Sequence, residues 1–307
     1  MAINLVTKFL PYVDEMFYTE SKKSLLTNQD FDWTGAHTVK IHTVNTVPMT
    51  DYDRDGSGVG EVVEDIETAD TETEVTQEAE PKAGSVVWSR YGAIGNIGNS
   101  LQEFTLTKDR SFTFVIDKMD KEETDGVLSG ASALARQQRE VIIPEVDKYV
   151  YSVMTAGAGT KPAATALTAE NIYTEILKGS NALDNAEVSE TGRVLVVTPD
   201  TYLLMKQSPD ITLNTDIGQD MRLRGVIANL DGLTVVKVPA VRLPDNFGFM
   251  IAHPVATVAP TKLEDYKVHQ DPPGISGELV EGRIIYDAFV LGNKKKAIYY
   301  QELTPSK

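Results

Sequence analysis

The sequence predicts an α+β protein organised around one stretch, residues 101–154, that passes from a long strand into a longer helix. Three observations carry that reading. Residues 104–119 alternate and are rich in Thr, Phe, Val and Ile, the pattern of a half-buried strand. Residues 122–154 show helical spacing, with Ile142, Val146, Tyr149 and Val153 on one stripe and Val127, Ala131 and Leu134 starting an earlier one. Residues 160–250 then alternate short strands with helices, and after His253 the chain returns to long strands. At 1.5 Å per residue the helix makes a rod of about 45 Å. Pro144 lies inside it and removes a backbone donor, so a kink or restart is expected at Glu140–Pro144. Such a rod, fed by a long strand, suits a subunit that reaches across its neighbours better than a compact enzyme core.

The remaining elements follow in chain order. Residues 7–27 read as an amphipathic helix, with Leu10, Val13, Phe17 and Leu25 near one face, and such a helix must dock on its own domain or on a neighbour. Residues 33–47 alternate as a strand. Residues 51–80 break the composition: they hold twelve Asp/Glu and one Arg, which predicts a solvated loop. Asp51-Tyr52-Asp53-Arg54-Asp55-Gly56 does not make a calcium loop, because Val62 stands where the twelfth position needs Glu. Residues 157–162 end the rod. Thr168 is a candidate cap for a helix through Lys178. Val194–Val197 is a buried strand, and Thr198-Pro199 opens a helix through Gln207. Asp231-Gly232 turns into a strand over 233–238, and Phe247–Ala252 is another. Residues 256–268, 278–290 and 297–302 read as the late strands.

Composition excludes several functions. The formal charge of −16 argues against gripping nucleic acid, which takes clustered Lys and Arg; the one compact basic run, Lys294-Lys295-Lys296, reads as a solvated strand end or turn. Cysteine is absent, so thiolate chemistry and disulfides are too. No apolar run reaches the ~18 residues of a membrane span, and no membrane partner is expected. His37, His42, His253 and His269 form no helical metal pair, and neither a nucleophile elbow nor a phosphate loop occurs. Gly92, Gly95 and Gly98 precede no helix, which weakens a dinucleotide reading. No catalytic residue, cofactor or metal site is predicted, and the chain is not expected to be an enzyme. A soluble α/β enzyme would need a converging polar pocket, and none is evident.

Several segments together resemble the major capsid proteins of tailed bacteriophages, the Hong Kong phage 97 type of fold. They are T-L-T-K-D-R-S-F-T-F at residues 105–114, Ile116-Asp117-Lys118-Met119, I-I-P-E-V-D-K-Y at 142–149, Thr38-Val39-Lys40-Ile41, Asp51-Tyr52-Asp53-Arg54, and residues 283–291 with Asn293-Lys294. Their number and order, rather than any single motif, carry the resemblance. It implies an N-terminal arm (1–30) and an extended β-hairpin loop (31–112) with an acidic insertion at about 55–85. It further implies a peripheral domain with a long spine helix (113–158 plus 251–307) and an inserted α/β axial domain (159–250). The late strands would return to pair beside the spine helix.

The function implied is a structural subunit that self-assembles, as hexamers and pentamers, into the icosahedral head of a tailed phage or prophage around double-stranded DNA. Assembly would take place in the bacterial host cytoplasm, and the product would be the virion capsid. Separate scaffolding and portal proteins are expected, since no long scaffold segment precedes the arm. The alternative sharing the fold is an encapsulin-like compartment around a cargo enzyme. Expected clasping residues are Phe9, Val13 and Phe17 in the arm and Trp88, Tyr91 and Ile94 in the hairpin. Removal of residues 1–26 is expected to impair assembly more than folding. The acidic insertion is expected on the outer or inter-subunit surface, outside the fold's core; the alternative is that it orders at a subunit contact, with Arg90, Lys108 or Arg110 of a neighbour as partners. Some relatives cross-link through Lys and Asn; Lys82 borders the acidic stretch, and no matching trio aligns here.

Overall fold

A computed structural model describes residues 20–28, 38–44, 46, 49, 51–52, 54, 91, 99–124, 129–213 and 229–304. It separates into two compact units: Lys40–Glu103, and Met1–Val39 together with Phe104–Lys307. In the smaller unit β1 (Thr38–Val44) pairs with β2 (Asn99–Thr105). These strands flank the acid-rich stretch, and residues 55–80 and Lys82 themselves lie outside the described residues.

In the larger unit the expected strand over 104–119 is divided at Leu106-Thr107, and β3 occupies Lys108–Asp117. The rod is divided as well. Asp117 caps α1 (Lys118–Glu123), its carboxylate accepting the Met119 N–H at 2.8 Å. Ser129 then caps α2 (Gly130–Gln137) in a reciprocal box with Ser132. Short polar side chains that bond the backbone locally compete with an ordinary helical turn, so a stripe of apolar spacing runs through a break it does not register. Val127 of that earlier stripe lies outside the described residues. After α2 the helix widens into a π turn at Gln138–Ile142 and resumes as α3 (Ile143–Ala156), with Pro144 in its first turn. The restart falls where the proline predicts it, because the extra residue of the π turn absorbs the missing donor and the ring. The fully buried face of α3 is Val146, Asp147, Val150, Tyr151, Met154 and Thr155. Ile142, Tyr149 and Val153 lie at its half-buried margin.

Then follow α4 (Ile172–Asn185), β4 (Val194–Val197), α5 (Pro199–Gln207), α6 (Pro209–Leu213), β5 (Asn229–Leu230), β6 (Leu233–Lys237) and β7 (Phe247–Ala252). After them come β8 (Thr257–Val258), β9 (Thr261–Gln270), β10 (Gly277–Tyr286), β11 (Phe289–Val290) and β12 (Ile298–Glu302). Thr168 and Asn171 bond each other's N–H at the start of α4, which continues past Lys178 to Asn185. Gly179 does not stop it: a Cβ there would sit 2.8 Å from Ile251 and 3.0 Å from Tyr299, so this glycine lets the helix lie close on the sheet.

That sheet has the order β12-β7-β4-β6-β5, and only β4 and β6 run parallel. Alternate residues serve two cores. Val194, Val196, Met250, Ala252, Ile298 and Tyr300 pack with α3, while Leu195, Val197, Phe249, Ile251 and Tyr299 pack with Ile172 and Ile176 of α4. A strand buried on both faces reads as a continuous apolar run, as β4 does. The last strand, β12, pairs with β7, Tyr299 opposite Ile251, so it joins the five-stranded sheet, and through Ile298 and Tyr300 it also packs against α3.

A second sheet has the order β3-β10-β9, antiparallel throughout. Glu278, Val280, Gly282, Ile284 and Tyr286 form the buried face of β10. Phe112 and Tyr266 flank Gly282 in register, and their rings fill the place of its side chain: a Cβ would lie 2.5 Å from one and 2.6 Å from the other. The late strands are shorter than the pattern suggests. A 3-10 turn at Pro254–Ala256 precedes β8, Pro260 separates β8 from β9, and Asp287 separates β10 from β11.

The expected helix over 7–27 ends differently. Lys23–Leu25 is a 3-10 turn, Leu26 is 0% exposed within the larger unit's core, and the Asn28 N–H donates to the Thr257 carbonyl at 2.7 Å. This stretch straps onto its own subunit; residues 1–19 lie outside the described ones.

Candidate functional site

Two buried carboxylates fix the frame from which the surfaces project. Asp287, 3% exposed, accepts the Thr107 N–H (2.7 Å), the Thr107 hydroxyl (2.8 Å), the Tyr149 hydroxyl (2.8 Å) and the Ala288 N–H (2.7 Å). It ties the β2–β3 break to α3 and the β10–β11 break. Burial, then the bond to Asp287, pushes the Tyr149 phenol up to about 12. Asp147 pairs with Arg242 at 2.9 Å, both buried, and accepts the Ser21 hydroxyl at 2.6 Å. Burial holds the nearby Lys23 ammonium below its ordinary range, against Asp147 and Glu264, which pull it up. The Asp147 knot joins α3, the turn Ala240–Arg242 and the N-terminal strap. A buried pair of this kind fixes geometry more than it adds stability.

Rigid elements then present contact surfaces. The outward face of the β3-β10-β9 sheet carries charged side chains that pair diagonally across strands or along one strand: Arg283 holds Asp109 through two nitrogens, Lys267 meets Asp265 at 2.9 Å, and His269 meets Glu281 at 2.8 Å. The Arg283 contact keeps the Asp109 carboxyl below its ordinary range. Large apolar side chains are also exposed at several places on the described surface. Val241 is 83% exposed beside the anchored Arg242, and Val115, Met119, Val141 and Leu203 are exposed as well. In the smaller unit Tyr91 is 79% exposed and meets Tyr52 edge to face, ring centroids 5.0 Å apart.

Of the six expected clasping residues the structure describes Tyr91; Phe9, Val13, Phe17, Trp88 and Ile94 lie outside the described residues. Two of the expected cations for the acidic insertion are engaged within the subunit. Arg110 pairs with Glu145 at 2.8 Å, and Lys108 lies over the Tyr149 ring at 5.0 Å. Arg90 is not described. Val241, Met119 and Val115 were not legible as surface residues, since an isolated apolar side chain in a turn or on an alternating strand carries no sign of which way it faces. Among the described residues no cluster of three or more His, Cys, Asp or Glu is placed to hold a metal ion, and no helix is long and apolar enough to cross a membrane.

The family model described as phage capsid protein matches residues 102–300, which run from β2 through β12. The chain belongs to the phage capsid protein family. The fold agrees with solved structures. That from Mycobacterium phage Che8 is 18% identical, with a TM-score of 0.73 over 98% of this chain and 98% of that one. The capsid structure of the cyanophage P-SCSP1u is 12% identical, with a TM-score of 0.70 over 99% and 94%. The asymmetric unit of the bacteriophage PhiM1 mature capsid is 14% identical, with a TM-score of 0.66 over 98% and 93%. No curated protein matches the chain significantly. This capsid protein is a structural subunit of a phage virion, with the major-capsid fold that its strand and helix segments resemble.

Proposed function

We propose that the subunit assembles, as hexamers and pentamers, into the icosahedral head of a tailed phage or prophage and encloses double-stranded DNA. The family match across residues 102–300 carries this reading. The subunit's frame supports it: two buried carboxylate knots hold α3, the strands and the N-terminal strap in one geometry, and rigid elements carry exposed apolar groups. Closed symmetric assembly multiplies such modest contacts into a stable shell. A net charge of −16 suits a wall that holds DNA without gripping it. Phe9, Val13 and Phe17, with Trp88, Tyr91 and Ile94, are proposed as clasps on neighbouring subunits, and the chain as a non-enzymatic building block. An encapsulin-like compartment has less support, because the matching family is that of phage capsids.

Electron microscopy of the purified protein, with a test for nuclease-protected nucleic acid in particles from infected or induced cells, decides the matter. Closed shells enclosing DNA are expected; a compact monomer at every concentration and salt would sink the proposal.

A further inference from the structure

We propose that Lys294, Lys295 and Lys296 form a docking surface for the acidic segment, residues 55–80, of a second copy of this chain; the inference rests on the shell-forming reading above. The three lysines are the only run of three basic residues in the sequence. They lie in the 3-10 turn Gly292–Ala297 between β11 and β12, and all three are exposed. None makes an ion pair or side-chain hydrogen bond among the described residues. Several cations near the sheet and long helix are already engaged, Arg110 with Glu145, Lys121 with Glu278, Lys267 with Asp265 and Arg283 with Asp109, and none of the rest forms a run of three.

The turn is held rigidly. The Gly159 N–H donates to the Lys295 carbonyl at 2.9 Å, the Lys294 N–H to Leu291 at 3.0 Å, and the His253 N–H to Ala297 at 3.1 Å. Gly159 permits this approach, since a Cβ there would lie 2.6 Å from the Lys295 backbone. The lysines therefore stand on a fixed backbone, and docking orders only their stems.

Residues 55–80 are the complementary group on the same chain. They hold ten Asp/Glu and no Lys, Arg or His. Fully extended, a segment of that length reaches at most about 90 Å. A shell sets copies side by side, so each lysine turn meets a neighbour's acidic segment at high local concentration. Consecutive side chains of a 3-10 turn splay about 120° apart, which suits a string of separated carboxylates better than a single phosphate. Ten of the chain's acids lie in residues 55–80, and the rest of the subunit still carries more acids than bases, which does not favour a polyanion such as DNA.

The test uses full-length subunits, half of them 15N-labelled, mixed before assembly at about 0.1 M salt and treated with a zero-length carbodiimide. Amide links between the three lysines and residues 55–80 are expected, about half of them joining light to heavy chains, and they should fade when assembly and coupling are carried out at about 1 M salt. The triple variant K294E/K295E/K296E should keep its melting temperature and lose shell yield several-fold at low salt. Replacing the ten acids of residues 55–80 by Lys in that variant should restore the yield. Shells that form without such links, or with links confined to one label, overturn the inference and leave the shell-forming reading standing. So does a triple variant whose only change is weaker DNA retention, which would make the turn a nucleic-acid contact. Failure to form shells at all overturns the reading on which the inference rests.

Discussion

At the scale of single residues, Asp287 ties several separate parts of the described unit together. Its two oxygens satisfy four donors from three places in the chain, so replacing it strands several of them in a buried site. Asp287→Ala is expected to lower unfolding free energy by about 3 kcal/mol or more, read from denaturant melts, and Tyr149→Phe by about 1–2 kcal/mol. An Asp287→Ala protein with the wild-type midpoint would show that the knot is ornamental. The phenols give a pH signature. Tyr149 and Tyr300 are both pushed up to about 12, chiefly by burial. In the unfolded chain they ionise near 10, so above that pH the folded state holds more protons than the unfolded one. Their stabilisation is therefore complete below about pH 10 and is lost as pH rises toward 12. Melting temperature should fall across that window, and the double variant Tyr149→Phe, Tyr300→Phe should fall less steeply; equal slopes would contradict the assignment.

At the scale of elements, the N-terminal strap makes a cut-point prediction. Ser21 bonds Asp147 and Leu26 is fully buried, so residues 20–28 belong to the subunit that carries them. Deleting residues 1–19 should leave the melting temperature unchanged. Deleting residues 1–26 should cost about 2–3 kcal/mol for the leucine alone and also leave Asp147 short of a donor. The expectation that the longer truncation impairs assembly more than folding therefore gains a folding cost of its own; identical melts for both would return the strap to a neighbour. The same contrast shows what the sequence can reveal. β4, α5 and β7 were legible because a buried apolar run and a Thr-Pro start are local signals. The restart near Pro144 was legible for the same reason. The breaks at Leu106-Thr107 and Asp287 were not, since each exists because of the other across a long stretch of chain. Nor was the placement of β12, because an alternating strand does not say which sheet receives it. The candidate surface was legible as a kind, through ordered family segments, while its described members Val241 and Tyr91 owe their exposure to turns whose direction is a property of the whole fold.

At the scale of the whole molecule, Lys40–Glu103 forms a unit of its own, and in the sequence the acidic stretch falls between its two paired strands. Replacing residues 55–80 by a short Gly/Ser turn is expected to leave the cooperative unfolding of the larger unit intact, as calorimetry would show; loss of that single transition would mean the stretch is part of the core. The β3-β10-β9 sheet has a different consequence. β3 finds its partner only in β10, after α4, α5, α6 and four of the five strands of the five-stranded sheet have passed. During synthesis β3 and the start of the long helix must wait, unpaired, for a strand not yet made, and such distant pairing is slow and exposed to misassociation. The charged outward face of that sheet, with Arg283 and Asp109 drawn from opposite ends of the wait, therefore comes into being late. An unfinished chain cannot display it, so that face exists only on subunits whose translation has already carried them past β10, a timer written into strand order.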